Sequence, residues 1–508
     1  MFVKTYSSAV IGIESSIITV EVNLGIGINF YMVGLPDSAV KESHQRIRAA
    51  FSNNSLKFPG RELTINLAPA DIRKEGAHFD LAIAVGILAA SDQVSPEKLS
   101  DYLLIGELSL DGTMSSMKGI LPMAIEAKKC GFKGLVVPRE NESEAAVVDG
   151  LNVIGVRDLK EALAFLNGEQ PNEQITSDQT KVDSKADYAD FSDVKGQLAI
   201  KRAFEIAAAG GHNVILIGPP GAGKSMLAKR LPGILPSMST EESLETTKIH
   251  SVAGKSRHMK GLIRQRPFRK PHSTISDVGL IGGGSYPQPG EISLAHNGVL
   301  FLDELPEYKR SVLEVLRQPL EDRVVTISRA RFSVDYPANF MLVAAMNPCP
   351  CGYHGHPEKE CSCGQTTVQR YLNRISGPLL DRIDLHVHVT PITYDELSTN
   401  VQGERSFEIR SRVEKARTKQ VERFKVSPGV FSNALMNTTD IREYCKLSDD
   451  SAQLLKNAME RMKLSARAYD RILKVSRTIA DLAGSEGIET AHIAEAIQYR
   501  SLDRADLI

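Results

Sequence analysis

The segment GPPGAGKS at 218–225 constrains the fold more than any other part of the chain. It matches the pattern G-x-x-x-x-G-K-[ST], follows the apolar run NVILIG (213–218) and precedes MLAKRLPGIL, which is typical of a helix. In such a strand–loop–helix unit, glycines let backbone N–H groups approach phosphate oxygens, and the helix presents its N-terminus to the anion. The sequence therefore predicts a phosphate-binding loop in a parallel α/β sheet.

Two side chains of this loop carry specific roles. Lys224 is predicted to bridge the β- and γ-phosphates of ATP, and Ser225 to hold Mg²⁺. The other positions predicted to line the nucleotide are Gly218, Pro219, Pro220, Gly221, Ala222 and Gly223. A plain glycine-rich turn is the alternative, but it does not require the complete motif between a strand and a helix.

Two further apolar runs end in polar side chains. VLFLDE (299–304) ends in two carboxylates, of which Asp303 is predicted to join the Mg²⁺ shell and Glu304 to polarise the attacking water. FMLVAAMN (340–347) ends in Asn347, which is predicted to orient that water. A strand-end carboxylate or a turn asparagine is common by itself, but the upstream phosphate loop favours an ATPase.

Composition excludes several classes of protein. The chain has 508 residues, with 61 Lys and Arg against 62 Asp and Glu, which excludes a wholly basic nucleic-acid coat protein. No apolar run is long enough for a membrane helix, and the N-terminus alternates without a signal-peptide core. Six cysteines are too few for a disulfide framework. We therefore expect a reduced, cytoplasmic protein with no membrane partner.

The chain divides at a polar stretch without apolar periodicity, 169–187, which is predicted to be a linker. Residues 1–168 mix strands with helices, and 188–395 alternate strands with helices as a parallel sheet does. Residues 396–508 repeat apolar positions at three and four, which predicts helices. The strands expected before the linker are 64–69 and 134–138, and the helices are 81–90 and 121–129.

Four of the six cysteines form a cluster with the pattern C-x-C-x9-C-x-C, with His354 and His356 between the pairs. The four are Cys349, Cys351, Cys361 and Cys363. Four soft ligands within a short segment suit tetrahedral Zn²⁺. The C-x-C spacing is tighter than usual, so one cysteine of each pair plus a histidine, or a reduced loop without metal, remain alternatives.

GPPGAGKS, VLFLDE, Asn347 and GPLLDRIDLHV (377–387) together resemble an AAA+ ATPase of the magnesium-chelatase-like clade. The resemblance implies that Arg382 is an arginine finger that reaches the γ-phosphate in a neighbouring subunit of a ring. It also implies a sensor-2 arginine on the helical lid, which falls on Arg467, with Arg471 in reserve. A surface ion pair with Asp381 or Asp384 is the alternative role for Arg382.

The whole chain resembles the ComM/YifB family, through phrases such as KPHSTISDVGLIGGG, NPCPCGYHGH and SARAYDRILKVSRTIADL. This family implies a fold of three parts. They are an N-terminal Lon-protease-like α+β domain of the ribosomal S5 domain 2-like type, a central AAA+ P-loop sheet and a C-terminal helical lid. The resemblance also implies ATP and Mg²⁺ as cofactors, a hexamer, and DNA as partner in natural transformation.

The Lon resemblance does not extend to a peptidase dyad. Where Lon proteases carry the serine segment, this chain has Gly76, Ala77 and His78, and Leu121 stands in place of the catalytic lysine. A dyad shifted to Lys118 with a nearby serine, Ser115 or Ser116, stays open. We interpret the domain as a fold retained for assembly, DNA contact or docking.

A basic stretch lies between the phosphate loop and the 299–304 strand. It contains eight Lys or Arg and no acidic residue: Lys248, Lys255, Arg257, Lys260, Arg264, Arg266, Arg269 and Lys270. The clade resemblance implies an insert that points into a ring pore, where such cations would bind DNA phosphates without reading sequence. The stretch 323–336 resembles the clade's hairpin, with Arg323, Arg329 and Arg331. A solvated face is the alternative for both.

Three functions follow from these patterns. The first is an ATP-driven hexameric DNA motor for branch migration or unwinding of branched or single-stranded DNA. The second is a metal-insertion motor subunit like those of magnesium chelatase, although no tetrapyrrole site is evident. The third is a protein-remodelling ATPase.

Overall fold

The computed structural model describes residues 1–169, 188–256, 261–284, 286–329, 332–356, 358–391, 403–427, 429–500 and 502. The chain forms two compact units. The first contains Met1–Ser184, Thr240–Ile263 and Pro287–Pro289. The second contains Lys185–Ser239, Arg264–Tyr286 and Gly290–Ile508. Nearly all of the predicted linker lies outside the described residues.

The strands in chain order are β1 Phe2–Ile11, β2 Glu14–Leu24, β3 Phe30–Val33, β4 Leu63–Ala68, β5 Tyr102–Leu104, β6 Glu107–Leu108, β7 Met114–Ser115, β8 Gly134–Pro138, β9 Asn152–Val156, β10 Val214–Ile217, β11 Phe268–Arg269, β12 Gly282–Gly283, β13 Gln288–Pro289, β14 Val299–Leu302, β15 Val324–Arg329, β16 Phe332–Pro337, β17 Met341–Met346 and β18 Leu385–His388.

The α-helices are α1 Ser38–Asn53, α2 Asp80–Ala90, α3 Ile120–Lys129, α4 Glu142–Ala145, α5 Leu159–Leu166, α6 Leu198–Gly210, α7 Lys224–Arg230, α8 Thr240–Val252, α9 Asp277–Ile281, α10 Glu291–Leu294, α11 Arg310–Glu314, α12 Arg317–Asp322, α13 Gln365–Leu372, α14 Gly377–Leu380, α15 Ser406–Arg423, α16 Thr438–Tyr444, α17 Asp449–Met462, α18 Ala466–Ala483 and α19 Thr490–Gln498. No helix within the described ranges is both long and apolar enough to cross a bilayer.

The first unit is built on a mixed sheet with the strand order β3-β4-β2-β1-β5-β8-β9. β1, β2 and β4 pair antiparallel, and β5, β8 and β9 pair parallel. All residues of α2 are buried, as expected for a helix that is apolar on every side. At Gly86 of α2, a Cβ would lie only 2.7 Å from Val22 Cγ2, so the glycine permits the close approach to β2.

Helix α8, which belongs to the predicted insert, packs in the first unit. The buried Glu144 carboxylate accepts hydrogen bonds from the hydroxyls of Ser251 and Ser256. Gly119 N–H donates to the Ser251 carbonyl at 3.1 Å. The sequence-based division placed residues 240–263 in the predicted ATPase domain, 188–395, but in the structure the segment belongs to the first unit, to which these hydrogen bonds join it. Glu144 lies on α4, a turn of only four residues, and the sequence of this turn did not predict its hydrogen bonds to Ser251 and Ser256.

The second unit contains a parallel sheet with the order β11-β14-β17-β10-β18. β10 is the first of these strands in the chain, but in the sheet it lies between the last two, β17 and β18. The strand order therefore changes direction beside β10. Ligands of open α/β sheets bind at the carboxyl ends of strands at such a switch point. The residues predicted to bind nucleotide follow β10, β14 and β17 at that edge.

The C-terminal segment is helical, as the apolar periodicity predicts. Ile409 and Val413 of α15 and Ile472 and Ile479 of α18 are buried in the same hydrophobic core as β10. The predicted third domain, 396–508, therefore shares a core with the sheet of the second unit. β15 and β16 pair antiparallel from Val324 and Pro337 onwards, which confirms the predicted hairpin.

Candidate nucleotide site

The phosphate loop connects β10 to α7 in the second unit. Gly221 and Gly223 have φ of +80° and +84°, a region that glycine enters at little cost. Lys224 Nζ donates to the carbonyls of Gly218 at 2.6 Å and Pro219 at 2.8 Å, and to Asn347 Oδ1 at 3.0 Å. Burial lowers the pKa of Lys224, and Asp303 and Glu304 oppose that shift. The structure thus brings Lys224 and Asn347 together.

Ser225 and Asp303 also meet. Ser225 Oγ donates to Asp303 Oδ2 at 2.6 Å, and Lys270 Nζ lies 2.7 Å from the same oxygen. Burial acts to raise the pKa of Asp303, but hydrogen bonds from Lys270 and Ser225 outweigh it and lower that pKa. Hydroxyl and ionised carboxylate oxygens are the ligands that Mg²⁺ takes beside nucleotide phosphates, so these two residues fit the metal.

Glu304 is the residue after Asp303 and is exposed. Its φ of +53° and ψ of +49° place it in the left-handed region, which a residue other than glycine adopts at a cost of roughly 1–2 kcal/mol. Such strain concentrates at functional sites. The conformation turns the chain sharply at the end of β14 and leaves the carboxylate in solvent, where a water can reach it.

Arg382, the predicted arginine finger, has partners within its own chain. Its side chain is buried, pairs with Glu321 and donates to the Pro378 carbonyl at 2.6 Å. A finger in this position must first leave Glu321 before it reaches a phosphate in another subunit. The arginine finger therefore stays a prediction, and Glu321 is a partner that the sequence did not reveal.

The two sensor-2 candidates differ in their surroundings. Arg467 is 60% exposed and lies 4.0 Å from Asp381. Arg471 pairs at 2.9 Å with Asp384, whose side chain is 1% exposed. Arg471 thus pairs with a buried carboxylate, while the Arg467 side chain is largely exposed, and the sensor-2 role of Arg467 stays a prediction.

Asp384 is the centre of a buried network. It accepts from Asn213 N–H at 2.9 Å and lies 3.4 Å from His212 Nδ1, in addition to Arg471. Burial acts to raise the pKa of Asp384, but Arg471 and then His212 lower it well below its ordinary range. The carboxylate therefore stays ionised and links β18 to the loop before β10 and to α18.

Replacing Asp384 by asparagine should destabilise the second unit by roughly 3–5 kcal/mol, because Arg471, whose side chain is only 19% exposed, then lacks its counter-charge. Denaturant unfolding followed by circular dichroism measures the change. Asp381→Asn is the matched control, since its contact with Arg467 is long and partly exposed, and it should cost no more than about 1 kcal/mol. Equal effects in the two variants would contradict the role given to Asp384.

The four clustered cysteines converge in space. Their ligand atoms all lie within 4.8 Å of one another, and the Sγ atoms of Cys349, Cys351 and Cys361 are 3.3–3.6 Å apart. Tetrahedral zinc with Zn–S bonds of about 2.3 Å needs sulfur atoms somewhat under 4 Å apart. The donor set therefore fits zinc. His356 Nδ1 instead accepts backbone N–H groups from Glu358 and Lys359.

The cysteine loop also reaches the phosphate loop. A Cβ on Gly352 would lie 2.4 Å from Pro220 Cδ, so the two backbones approach closely there. Gly352 has φ of +86°, which glycine alone adopts without strain. Because this loop begins just after Asn347, order in the cysteine cluster supports both sides of the nucleotide site.

Most described cations of the basic stretch have partners within the chain. Lys248 pairs with Glu14, Arg269 makes two contacts with Glu291, and Arg266 donates to backbone carbonyls of its own unit. Lys255 and Arg264 are exposed.

The structure does not describe every cation of the basic stretch and the hairpin. Outside the described residues lie Arg257, Lys260, Arg331 and the side chain of Arg329. Arg323 donates to the Phe340 carbonyl at 2.8 Å, and burial lowers its pKa to about 10.

The positions aligned with the Lon dyad have structural contacts. His78 donates Nε2–H to the Ser8 carbonyl at 2.8 Å, and burial lowers its pKa to about 4. Leu121 N–H donates to Glu144. Of the shifted-dyad candidates, Ser116 Oγ has no hydrogen-bond partner in the described part of the chain, and the Lys118 stem packs at Gly254.

Lys270 is a residue of this site that the sequence did not indicate. The sequence groups it with the cations predicted to bind DNA phosphates, and in the structure it contacts Asp303 at the predicted Mg²⁺ site. Its position directly after β11, the neighbour of β14, was the available signal. β11 has only two residues, so the apolar pattern did not identify it as a strand.

Profiles of known families match most of the chain. The profile described as magnesium chelatase, subunit ChlI, matches residues 190–397, that of subunit ChlI of Mg-chelatase matches 20–141, and that of the ChlI C-terminal part matches 403–500. Together with the parallel sheet and the phosphate loop, they define an AAA+ ATPase of the magnesium-chelatase-like class.

Individual relatives give the narrower assignment. The competence protein ComM of Haemophilus influenzae is 44% identical over 505 residues, which cover 98% of this chain and 97% of the relative. The uncharacterized protein YifB of Escherichia coli is 45% identical over 501 residues, with the same coverage. The chain belongs to the ComM/YifB family. Lon protease 2 of Bacillus subtilis is 27% identical over 138 residues, 27% of this chain and 24% of the relative.

Family membership has two consequences. The magnesium-chelatase-like class implies ATPase activity with ATP and Mg²⁺ as ligands. The likeness to Lon protease 2 agrees with the Lon-like α+β fold expected at the N-terminus.

Proposed function

We propose that this chain is an ATP-driven DNA motor that promotes branch migration or unwinding during recombination of incoming DNA. The observation that carries the proposal is the phosphate site, with Lys224, Ser225, Asp303 and Asn347 in contact, in a chain similar over nearly its whole length to a protein named for competence. The site provides for the binding and hydrolysis of ATP. The name of the relative, a competence protein, indicates the process in which the motor would act.

The motor is proposed to work as a homo-oligomeric ring, a hexamer, in the cytoplasm. Arg382, after release from Glu321, is proposed to contact the γ-phosphate of a neighbouring subunit. Arg467 is proposed as the sensor-2 residue, because it is exposed on the lid. The reducing cytoplasm keeps cysteines as free thiols, which lose their protons when they bind a structural zinc in the cluster.

DNA is proposed to bind through phosphates, without sequence preference. Exposed Lys255 and Arg264 and the antiparallel hairpin β15–β16 support this proposal. Contacts of this kind release counterions, so binding should weaken steeply as salt increases. If DNA has no effect on ATP hydrolysis, the alternatives are a motor that acts on protein and one that inserts metal into a tetrapyrrole.

The test is release of a labelled strand from a four-way DNA junction. Wild-type protein with Mg²⁺ and ATP should release the strand, and ATP replaced by ADP should not support release. A linear duplex of the same sequence and label serves as the matched substrate control. No ATP-dependent release from any branched substrate, together with ATP hydrolysis that responds to unfolded protein, would instead indicate a protein client.

A further inference from the structure

Lys270 places a positive charge where the metal is expected to act. Its Nζ lies 2.7 Å from Asp303 Oδ2, the same oxygen that accepts the Ser225 hydroxyl at 2.6 Å. Asp303 and Ser225 are the two residues proposed to serve Mg²⁺. An ammonium and a divalent cation cannot both occupy the same face of one carboxylate oxygen, because the charges repel and the atoms overlap.

The backbone on both sides of Lys270 is fixed. Arg269 forms hydrogen bonds of 2.6 and 2.7 Å to the Glu291 carboxylate, and the Pro271 carbonyl accepts from Tyr308 Oη at 2.7 Å. The Lys270 side chain, in contrast, is 39% exposed, and its Nζ lies 5.2 Å from the centre of the Phe301 ring. The four-carbon stem is therefore the part of this segment that is free to move.

The energetics allow exchange. A partly exposed lysine–carboxylate pair is weak, whereas Mg²⁺ carries two charges and is also bound by nucleotide phosphates. Metal binding then selects the conformation in which Asp303 is released from Lys270. The site cannot take the metal while the Lys270–Asp303 pair is formed. The apparent metal affinity therefore decreases as this pair is more populated.

We propose that Lys270 is an exchangeable counter-cation of the magnesium site: it neutralises Asp303 until Mg²⁺ arrives with nucleotide, and so sets the Mg²⁺ concentration that the site needs. This inference rests on the proposed role of Asp303 and Ser225 as Mg²⁺ residues. It gives Lys270 a role different from the binding of DNA phosphates that is proposed for exposed cations of the same stretch.

The test is Mn²⁺ binding to the full chain saturated with ADP, followed by the EPR signal of free Mn²⁺, with ADP alone as the blank. Lys270→Met keeps the apolar stem over Phe301 and removes the charge, so Mn²⁺ should bind about three- to tenfold more tightly. Lys270→Gln should act in the same direction. Lys270→Arg should stay close to wild type, as should Lys309→Gln, which removes an exposed lysine outside the site.

Unchanged or weaker Mn²⁺ binding in both uncharged Lys270 variants would overturn the inference. Asp303→Asn separates this result from failure of the site itself. It should weaken Mn²⁺ binding, and unchanged affinity in that variant would remove the magnesium role on which the inference depends. Weakened binding in Asp303→Asn beside unchanged binding in the Lys270 variants would contradict Lys270 alone.

Discussion

Glu304→Gln should bind ATP within about threefold of wild type but hydrolyse it roughly 10²–10⁴-fold more slowly, the usual contribution of a positioned general base. The amide keeps the size of the side chain and cannot accept the proton of the attacking water. Glu304 is exposed at the end of β14, beside Asp303 and outside the contacts of Lys224. Nucleotide binding should therefore survive the change.

Glu307→Gln is the matched control for this variant. Glu307 lies one turn further along, is exposed and pairs with Arg374 at 3.1 Å, a surface contact of little energetic weight. Steady-state phosphate release and binding of a fluorescent ATP analogue, measured on both variants, give the comparison. Hydrolysis by Glu304→Gln within tenfold of wild type would show that another group activates the water.

Removal of one cluster thiol should have the second large effect. Wild-type protein purified without chelator should contain about one zinc per chain, and Cys361→Ser should lose most of it, because a structural zinc site needs its full ligand set. Since Gly352 of the cysteine loop packs on Pro220, the loss should also weaken ATP binding. Metal analysis and nucleotide titration on the same samples measure both effects.

Cys130→Ser controls for thiol loss in general, because Cys130 is exposed and lies outside the cluster. It should keep both zinc and nucleotide affinity. Wild-type protein that carries no zinc after purification without chelator would contradict the zinc site. Zinc loss without any change in ATP affinity would contradict only the coupling through Gly352.

The convergence of the predicted nucleotide residues could be inferred from the sequence because the motifs that carry them are local. A phosphate loop needs its glycines and lysine in one contiguous segment, and the carboxylates must follow an apolar strand. Parallel strands then bring Lys224, Asp303 and Asn347 to one edge of the sheet without further information. The clustering of the four cysteines follows in the same way from short spacing along the chain.

The remaining features depend on contacts between distant segments. The burial of Arg382 against Glu321, the contact of Lys270 with Asp303 and the docking of α8 through Glu144 each join side chains whose pairing leaves no periodic pattern. A basic stretch also has the same composition whether its cations bind DNA or neighbouring carboxylates. The number of charges in the stretch therefore could not show that Arg269 pairs with a carboxylate while Arg264 is exposed.

The most direct test of the DNA-motor account is the rate of ATP hydrolysis with and without four-way junction DNA, over a series of salt concentrations. The account predicts that junction DNA accelerates hydrolysis, that the acceleration declines steeply with salt, and that Glu304→Gln abolishes it. A hydrolysis rate that DNA leaves unchanged at every salt concentration would contradict the account.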